Sequence, residues 1–140
     1  MIHMRSFNPF EVKNIKFLVS KQINYATVQI TQTGYTKSIL DATASVRAYF
    51  VEQGFHNYDL QPKGQEHKKM IDTFILTDEG LTETKSSLYR PETKDGDPRM
   101  WVYKLKDYVN PDDIFAIIAY NGCFYIINLS QIDIEKAYKS

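Results

Sequence analysis

Apolar and polar positions alternate along this chain with several distinct periods, and these divide it into elements. Asn8 followed by Pro9 starts a predicted helix over residues 9–22, for which Phe10, Ile15, Phe17, Leu18 and Ile23 supply an apolar face. Residues 24–31 alternate Tyr25, Thr27 and Gln29 with Ala26, Val28 and Ile30, a half-buried strand pattern that Gly34 ends. From Thr36 to Gln53 the spacing of Ile39, Leu40, Thr43, Val46, Tyr49 and Phe50 fits period 3.6, with Gly54 at the position of a C-terminal glycine. One helix is expected there.

Residues 54–69 carry two glycines, a proline and mixed charge without a period, so they read as a long connection. Residues 70–77 and 81–89 form a predicted hairpin around Asp78, Glu79 and Gly80. Thr82, Thr84 and Ser86 fall on one face of its second strand, and Leu81, Glu83, Lys85 and Ser87 on the other. RMWVYKL at 99–105 reads as a strand, followed by a helical turn near Lys106 to Val109 and a turn at residues 110–113. Two nearly continuous apolar runs around Asn121-Gly122 predict a hairpin buried on both faces. Ser130, Asp133 and Glu135 are placed to cap a last helix carrying Ile132, Ile134 and Tyr138. The order predicts an α+β fold: a mostly antiparallel sheet or small pseudobarrel with three flanking helices, as a single domain over residues 1–140.

Composition narrows the picture. Aromatic residues make up 14% of the chain, with ten tyrosines, a ring type suited to half-exposed surfaces. Seventeen basic and seventeen acidic residues cancel, so any attraction for nucleic acid must come from a local patch. The single Cys123 excludes an internal disulfide and a four-cysteine metal site, and fits a reducing compartment. With neither a membrane-length apolar run nor a signal-like N-terminus, a cytoplasmic protein without membrane association is expected.

Two groups of residues carry candidate chemistry. Asp72, with Glu83 and Lys85 on the next strand, has the residue types of a metal-dependent nuclease. Its two carboxylates would hold Mg²⁺ and its lysine would orient or deprotonate the attacking water. The alternative is a solvated strand face with a cross-strand charge pair. His3, His56 and His67 lack metal-site spacing, Cys123 lies in an apolar strand, and the glycines form neither a nucleophile elbow nor a phosphate loop.

The second group lies in SLYRPETKDGDPRMW, residues 87–101, where Pro91, Pro98 and Gly96 impose a shaped loop and loops of this kind carry recognition. Between Lys85 and Lys106 six basic residues (Lys85, Arg90, Lys94, Arg99, Lys104 and Lys106) face three acids (Glu92, Asp95 and Asp97). Lys63, Lys68 and Lys69 extend the positive region. Lysines suit phosphates, arginines suit guanine edges, and Tyr89, Trp101 and Tyr103 offer stacking faces. The competing reading is an ordinary soluble surface whose charges pair locally.

TQTGYTKSILDATASVR (31–47), HNYD, Gln61 with Gly64, SLYRPETKDGDPRMWVYKLKDY and FYIINLS together resemble an N-terminal domain associated with restriction endonucleases of the MvaI/BcnI type, over residues 27–130. That resemblance implies a DNA-binding pseudobarrel and assigns Arg90, Lys94 and Arg99 to its recognition loop. Since the sequence stops at Ser140, it is expected to represent the recognition part alone, as a domain or a stand-alone relative, with a nuclease domain or subunit as a candidate partner. Three readings stay open: a sequence-selective double-stranded DNA-binding module of a restriction-modification system, a small Mg²⁺-dependent endodeoxyribonuclease, and a protein-interaction module. Only the second needs a cofactor.

Overall fold

The computed structural model describes residues 5–93 and 96–139. Among these residues seven strands form one sheet: β1 Ala26–Gln29, β2 Ile39–Asp41, β3 Lys69–Thr77, β4 Gly80–Tyr89, β5 Arg99–Val102, β6 Ile114–Tyr120 and β7 Cys123–Asn128. Their order is β1-β6-β7-β3-β4-β5-β2, and the sheet curls until its edges β1 and β2 approach each other. Every pairing is antiparallel except β3 with β7. The result is the expected α+β pseudobarrel. Four helices accompany it among the described residues, not the three expected: α1 Pro9–Ser20, α2 Gln32–Lys37, α3 Ala44–Glu52 and α4 Ile134–Lys139. No described helix is long and apolar enough to cross a membrane.

The β6–β7 hairpin turns through Asn121 at φ 53° and Gly122 at φ 74°, the left-handed pair that this tight turn demands. Its strands are apolar throughout because both faces are covered. Phe115, Ile117, Phe124 and Ile126 enter the barrel core, while Ile114, Ala116 and Ile127 pack against Leu18 of α1 and Ile134 of α4. The β3–β4 hairpin has one inner face, carrying Ile71, Thr73, Ile75, Thr84, Ser86 and Leu88, all buried. Its hydroxyls are satisfied: Thr73 donates to the Ser86 hydroxyl at 2.6 Å and Thr84 to the Tyr103 carbonyl at 2.8 Å. The predicted division of β4 between two faces holds.

The helix expected over residues 36–53 is replaced by α2, β2 and α3. Ser38 takes the left-handed conformation (φ 59°) and ends α2, which frees Ile39 and Leu40 to pair with Trp101 and Met100 of β5. A helical period was present, but the unpaired edge of β5 outcompetes it for Ile39–Asp41. Gly34 does not end β1; it lies buried in α2, where a Cβ would come within 2.3 Å of the Ile39 carbonyl oxygen. The strand expected over 99–105 stops at Val102, because Lys104 turns to φ 69° and starts a 3-10 turn at Leu105–Tyr108. Nor does Ser130 cap α4: its hydroxyl donates to Glu11 and accepts from the Ile114 amide, leaving the Asp133 side chain to cap by accepting from the Lys136 amide.

Helix α1 starts where predicted, with the Asn8 side chain accepting from the Glu11 amide and the Glu11 side chain answering the Asn8 amide. Its buried positions are Glu11, Asn14 and Leu18, whereas Phe10 faces solvent. Asn14 donates to the carbonyls of Leu129 and Ile132 and accepts from the Ile134 amide, so α1 is tied to the C-terminal segment by hydrogen bonds as well as by Leu18.

Candidate nucleic-acid interface

Strand register decides which candidate residues share a surface. Ser87 stands opposite Met70 on β3 and opposite Trp101 on β5; Tyr89 stands opposite Arg99, and Trp101 stands opposite Ile39 on β2. Since Leu88, Met100 and Val102 point into the core, the pleat turns Ser87, Tyr89, Arg99 and Trp101 outward. Met70, half-exposed, joins them. Trp101 and Tyr103 form a tilted ring pair with centres 5.7 Å apart, and the Lys104 ammonium lies 5.8 Å from the Tyr103 ring centre. The sheet therefore presents an aromatic band edged with cations, and three of the predicted residues, Tyr89, Arg99 and Trp101, lie within it.

The loop from Pro91 to Pro98 is anchored beside this band. The Arg90 guanidinium donates to the Gly96 carbonyl at 3.0 Å and to the Gln61 carbonyl at 3.1 Å, while the Arg90 carbonyl accepts from the Gly64 amide at 2.8 Å. Gly96 sits at φ 72° with the Lys63 side chain folded over it, so that a Cβ would meet Lys63 carbon at 2.7 Å. Gln61, itself buried, donates to the carbonyls of His67 and Leu88. Arg90 and Lys63 thus fasten the loop to residues 61–68, and Arg99 is left as the arginine whose side chain faces outward. Lys94 lies outside the described residues. Lys69 points away from the band, and its ammonium donates to the Phe55 carbonyl at 2.6 Å.

Removing the Arg90 clamp has a measurable cost. Arg90→Ala is expected to lower the free energy of unfolding by about 1–3 kcal/mol, since two carbonyls lose a charged donor. It should also expose residues 91–98 to trypsin. Arg90→Lys should recover little, because an ammonium cannot reproduce a two-pronged guanidinium. Urea titration and limited proteolysis measure both effects.

Beside Tyr89 and Trp101 lies a cleft of about 250 Å³, lined by these two with Gln65, Lys68, Met70 and Ser87. Of these, Lys68, Tyr89 and Trp101 were candidates from the sequence. Ser87 was legible as an outward position of β4 but drew no attention as a small residue. Gln65 and Met70 carried no signal, because their relevance comes from the 3-10 turn at Gln65–His67 and from pairing with β4.

Asp72, Glu83 and Lys85 also lie on the outer face, farther along the same hairpin. Asp72 is directly opposite Lys85, and the two make an exposed ion pair that holds the Lys85 pKa above its ordinary value; Glu83 is opposite Phe74 and exposed. The register brings all three to one face. As for metal binding, Asp72 is occupied by the lysine, and no group of three His, Cys, Asp or Glu side chains suited to a metal gathers among the described residues. Asp72 and Lys85 form a cross-strand charge pair. His56 is fixed structurally, 3.2 Å from the Gln61 side-chain oxygen and edge-on to Tyr58, and burial lowers its pKa. Cys123 is a half-buried free thiol following the Asn-Gly turn.

Comparison with protein-family models, with curated proteins and with solved structures finds no match to this chain.

Proposed function

We propose that this protein binds double-stranded DNA sequence-selectively in the cytoplasm, as the recognition module of a restriction-modification system. The observation that supports this most is the outward aromatic and cationic band of β3, β4 and β5, with its clamped loop alongside. Strands present residues to a groove when alternate side chains carry the contacts. Arg99, beside Tyr89, is placed for two parallel hydrogen bonds to a guanine edge, and Lys63, Lys68 and Lys104 for phosphates. Lys94 would add a contact from the loop. Arg90 acts by positioning that loop. A formally neutral chain must rely on a few placed contacts, which suits sequence selection better than bulk attraction. The link to restriction rests on the resemblance of residues 27–130 to the MvaI/BcnI-type domain, and implies a nuclease domain or subunit as partner.

Gel-shift titration with random short duplexes tests the reading. Binding is expected near 50 mM salt and should weaken about 100-fold by 200 mM if some four phosphates are contacted. Arg99→Ala should relax preference among duplex sequences, with a loss of about tenfold at the preferred site. Absence of any shifted species near 50 mM salt refutes DNA binding.

A nuclease reading keeps one supporting observation, the shared exposed face of Asp72, Glu83 and Lys85 on the hairpin that also carries the band. Mg²⁺ would have to separate Asp72 from Lys85 before both carboxylates became ligands. Cleavage of plasmid DNA that requires Mg²⁺ and vanishes in Lys85→Ala would establish it; intact plasmid with either protein would dismiss it.

A further inference from the structure

The cleft beside Trp101 contrasts with the polar groups of the core. Elsewhere, inward-facing polar side chains are committed: Thr73 to Ser86, Gln61 to two carbonyls, Asn128 to Asp113. In the cleft, the Gln65 amide, the Lys68 ammonium, the Ser87 hydroxyl, the Tyr89 hydroxyl and the Trp101 ring N–H make no hydrogen bond with any described residue. Five polar groups without a hydrogen-bond partner among the described residues therefore gather beside two aromatic side chains. Their supports are rigid, since Ser87, Tyr89 and Trp101 all belong to the β4–β5 ladder.

The walls have a definite shape. Ser87 is directly opposite Trp101 and Tyr89 is diagonal to Trp101, so both aromatic positions neighbour a small, buried serine. Trp101 leans on Tyr103, 5.7 Å away and tilted by 43°. A volume of about 250 Å³ lies below the ~300–1,000 Å³ of sites that enclose a whole drug-sized ligand, so it suits a single ring system. A flat ring stacking between Tyr89 and Trp101 would present its edge to Gln65, which has both a donor and an acceptor, and to Ser87. Lys68 stands at the rim as a counter-charge for an anionic group attached to that ring.

A flat ring with hydrogen-bonding edges and an attached anion describes a nucleotide. We propose that this cleft takes up one unpaired nucleobase, turned out of the DNA, with Tyr89 and Trp101 stacking on its faces and Gln65 and Ser87 reading its edge. This inference rests on the DNA-binding reading above and adds to it a site at which pairing, not only sequence, is sensed. A base within a duplex has both faces and its pairing edge occupied and cannot enter; turning it out costs unstacking, which is smallest where the base is already mismatched or unpaired.

Trp101, the only tryptophan in the sequence, serves as the reporter. Two duplexes of the same sequence are compared near 50 mM salt, one fully paired and one with a single base opposite an abasic site. Wild-type protein is expected to bind the second about tenfold more tightly, with Trp101 emission quenched by it and much less by the first. Gln65→Ala should bring the two affinities together while leaving the affinity for the paired duplex within about twofold, and Tyr89→Ala should likewise abolish the preference for the unpaired base. Gln65 is exposed, so its variant does not depend on the fold tolerating a lost ring. Equal affinity and equal emission for both duplexes overturns base capture and leaves DNA binding standing. Binding to neither duplex overturns the DNA reading and this inference together. Trp101 emission that changes with protein concentration in the absence of DNA, alongside equal affinities, assigns the cleft to a second copy of the chain and also overturns it.

Discussion

Replacing Glu11 with alanine is expected to lower the free energy of unfolding by about 3–5 kcal/mol, because it removes a fully buried carboxylate from its ion pair with the part-exposed Arg5 and leaves several donors unsatisfied. Glu11 is fully buried yet carries charge. The Arg5 guanidinium donates to both of its oxygens at 2.8 and 2.6 Å, the Ser130 hydroxyl at 2.5 Å and the Asn8 amide at 2.9 Å. The Arg5 hydrogen bonds dominate in pulling its pKa down from 4.5 to about 2, against the opposing effect of burial. A lowered folded-state pKa means that the carboxylate stabilises the fold fully above its unfolded value. That contribution is then lost as pH falls from about 4.5 through 2. Wild type and Glu11→Gln should accordingly differ most in melting temperature at pH 7, with the gap narrowing as pH falls from 4.5 towards 2. At neutral pH the alanine variant should melt roughly 10 °C lower. Melts across this pH range decide the matter, and a constant gap would show that packing rather than charge makes Glu11 important.

That network also shows where a sequence stops being legible. Asn8 and Pro9 announced the start of α1, since capping depends on residues three apart. The burial of Glu11 depends on Ser130, 119 positions away, so no local period contains it. In the same way the β6–β7 hairpin was readable, because Asn-Gly and two apolar runs are local signals that agree. The stretch 36–53 was misread because Ile39 and Leu40 fit a helical stripe as well as a strand. Only the presence of β5 as a pairing partner separates the two. For the candidate interface, alternation in β4 and the loop punctuation by Pro91, Gly96 and Pro98 pointed to the outward face of β4 and to the loop beside it. They said nothing of Arg90's inward commitment, which arises from carbonyls at Gln61 and Gly96 that the fold brings around it.

The interface also rests on residues that never reach the surface. Tyr58 donates its hydroxyl to the Arg99 carbonyl at 2.9 Å, and burial drives its pKa far above the ordinary tyrosine value, so it remains a neutral donor. This bond fixes the start of β5 from beneath, where Arg99 turns outward. Residues 54–69, structureless by sequence pattern, are in fact held at Phe55, Tyr58, Gln61 and Gly64, and so act as a second layer behind the loop.

Phe50 is the keystone of that layer, and Phe50→Ala is expected to cost about 3–5 kcal/mol. The ring is fully buried and touches four others: Phe55 at 5.2 Å between centres, Phe124 at 5.4 Å, Tyr49 at 6.1 Å and Tyr58 at 6.4 Å, while Phe55 also stacks on Phe124 at 5.5 Å. Removing it opens a cavity between α3, residues 54–58 and β7. The rigid sheet on one side cannot collapse into this space, so the loss falls at the upper end for such substitutions. Val51, its neighbour on α3, is half-exposed, and Val51→Ala should change stability by no more than about 0.5 kcal/mol. Urea unfolding of the two variants measures the contrast, with the midpoint shifting and the slope unchanged in Phe50→Ala. Because Phe55 and Tyr58 lose their shared packing partner, the grip on Lys69 and on the Arg99 carbonyl loosens as well. Under the proposed function, affinity for duplex DNA at temperatures well below the melt should therefore fall in Phe50→Ala and not in Val51→Ala. A Phe50→Ala protein that is destabilised yet binds DNA as wild type does would show that the outer band keeps its geometry without this inner support.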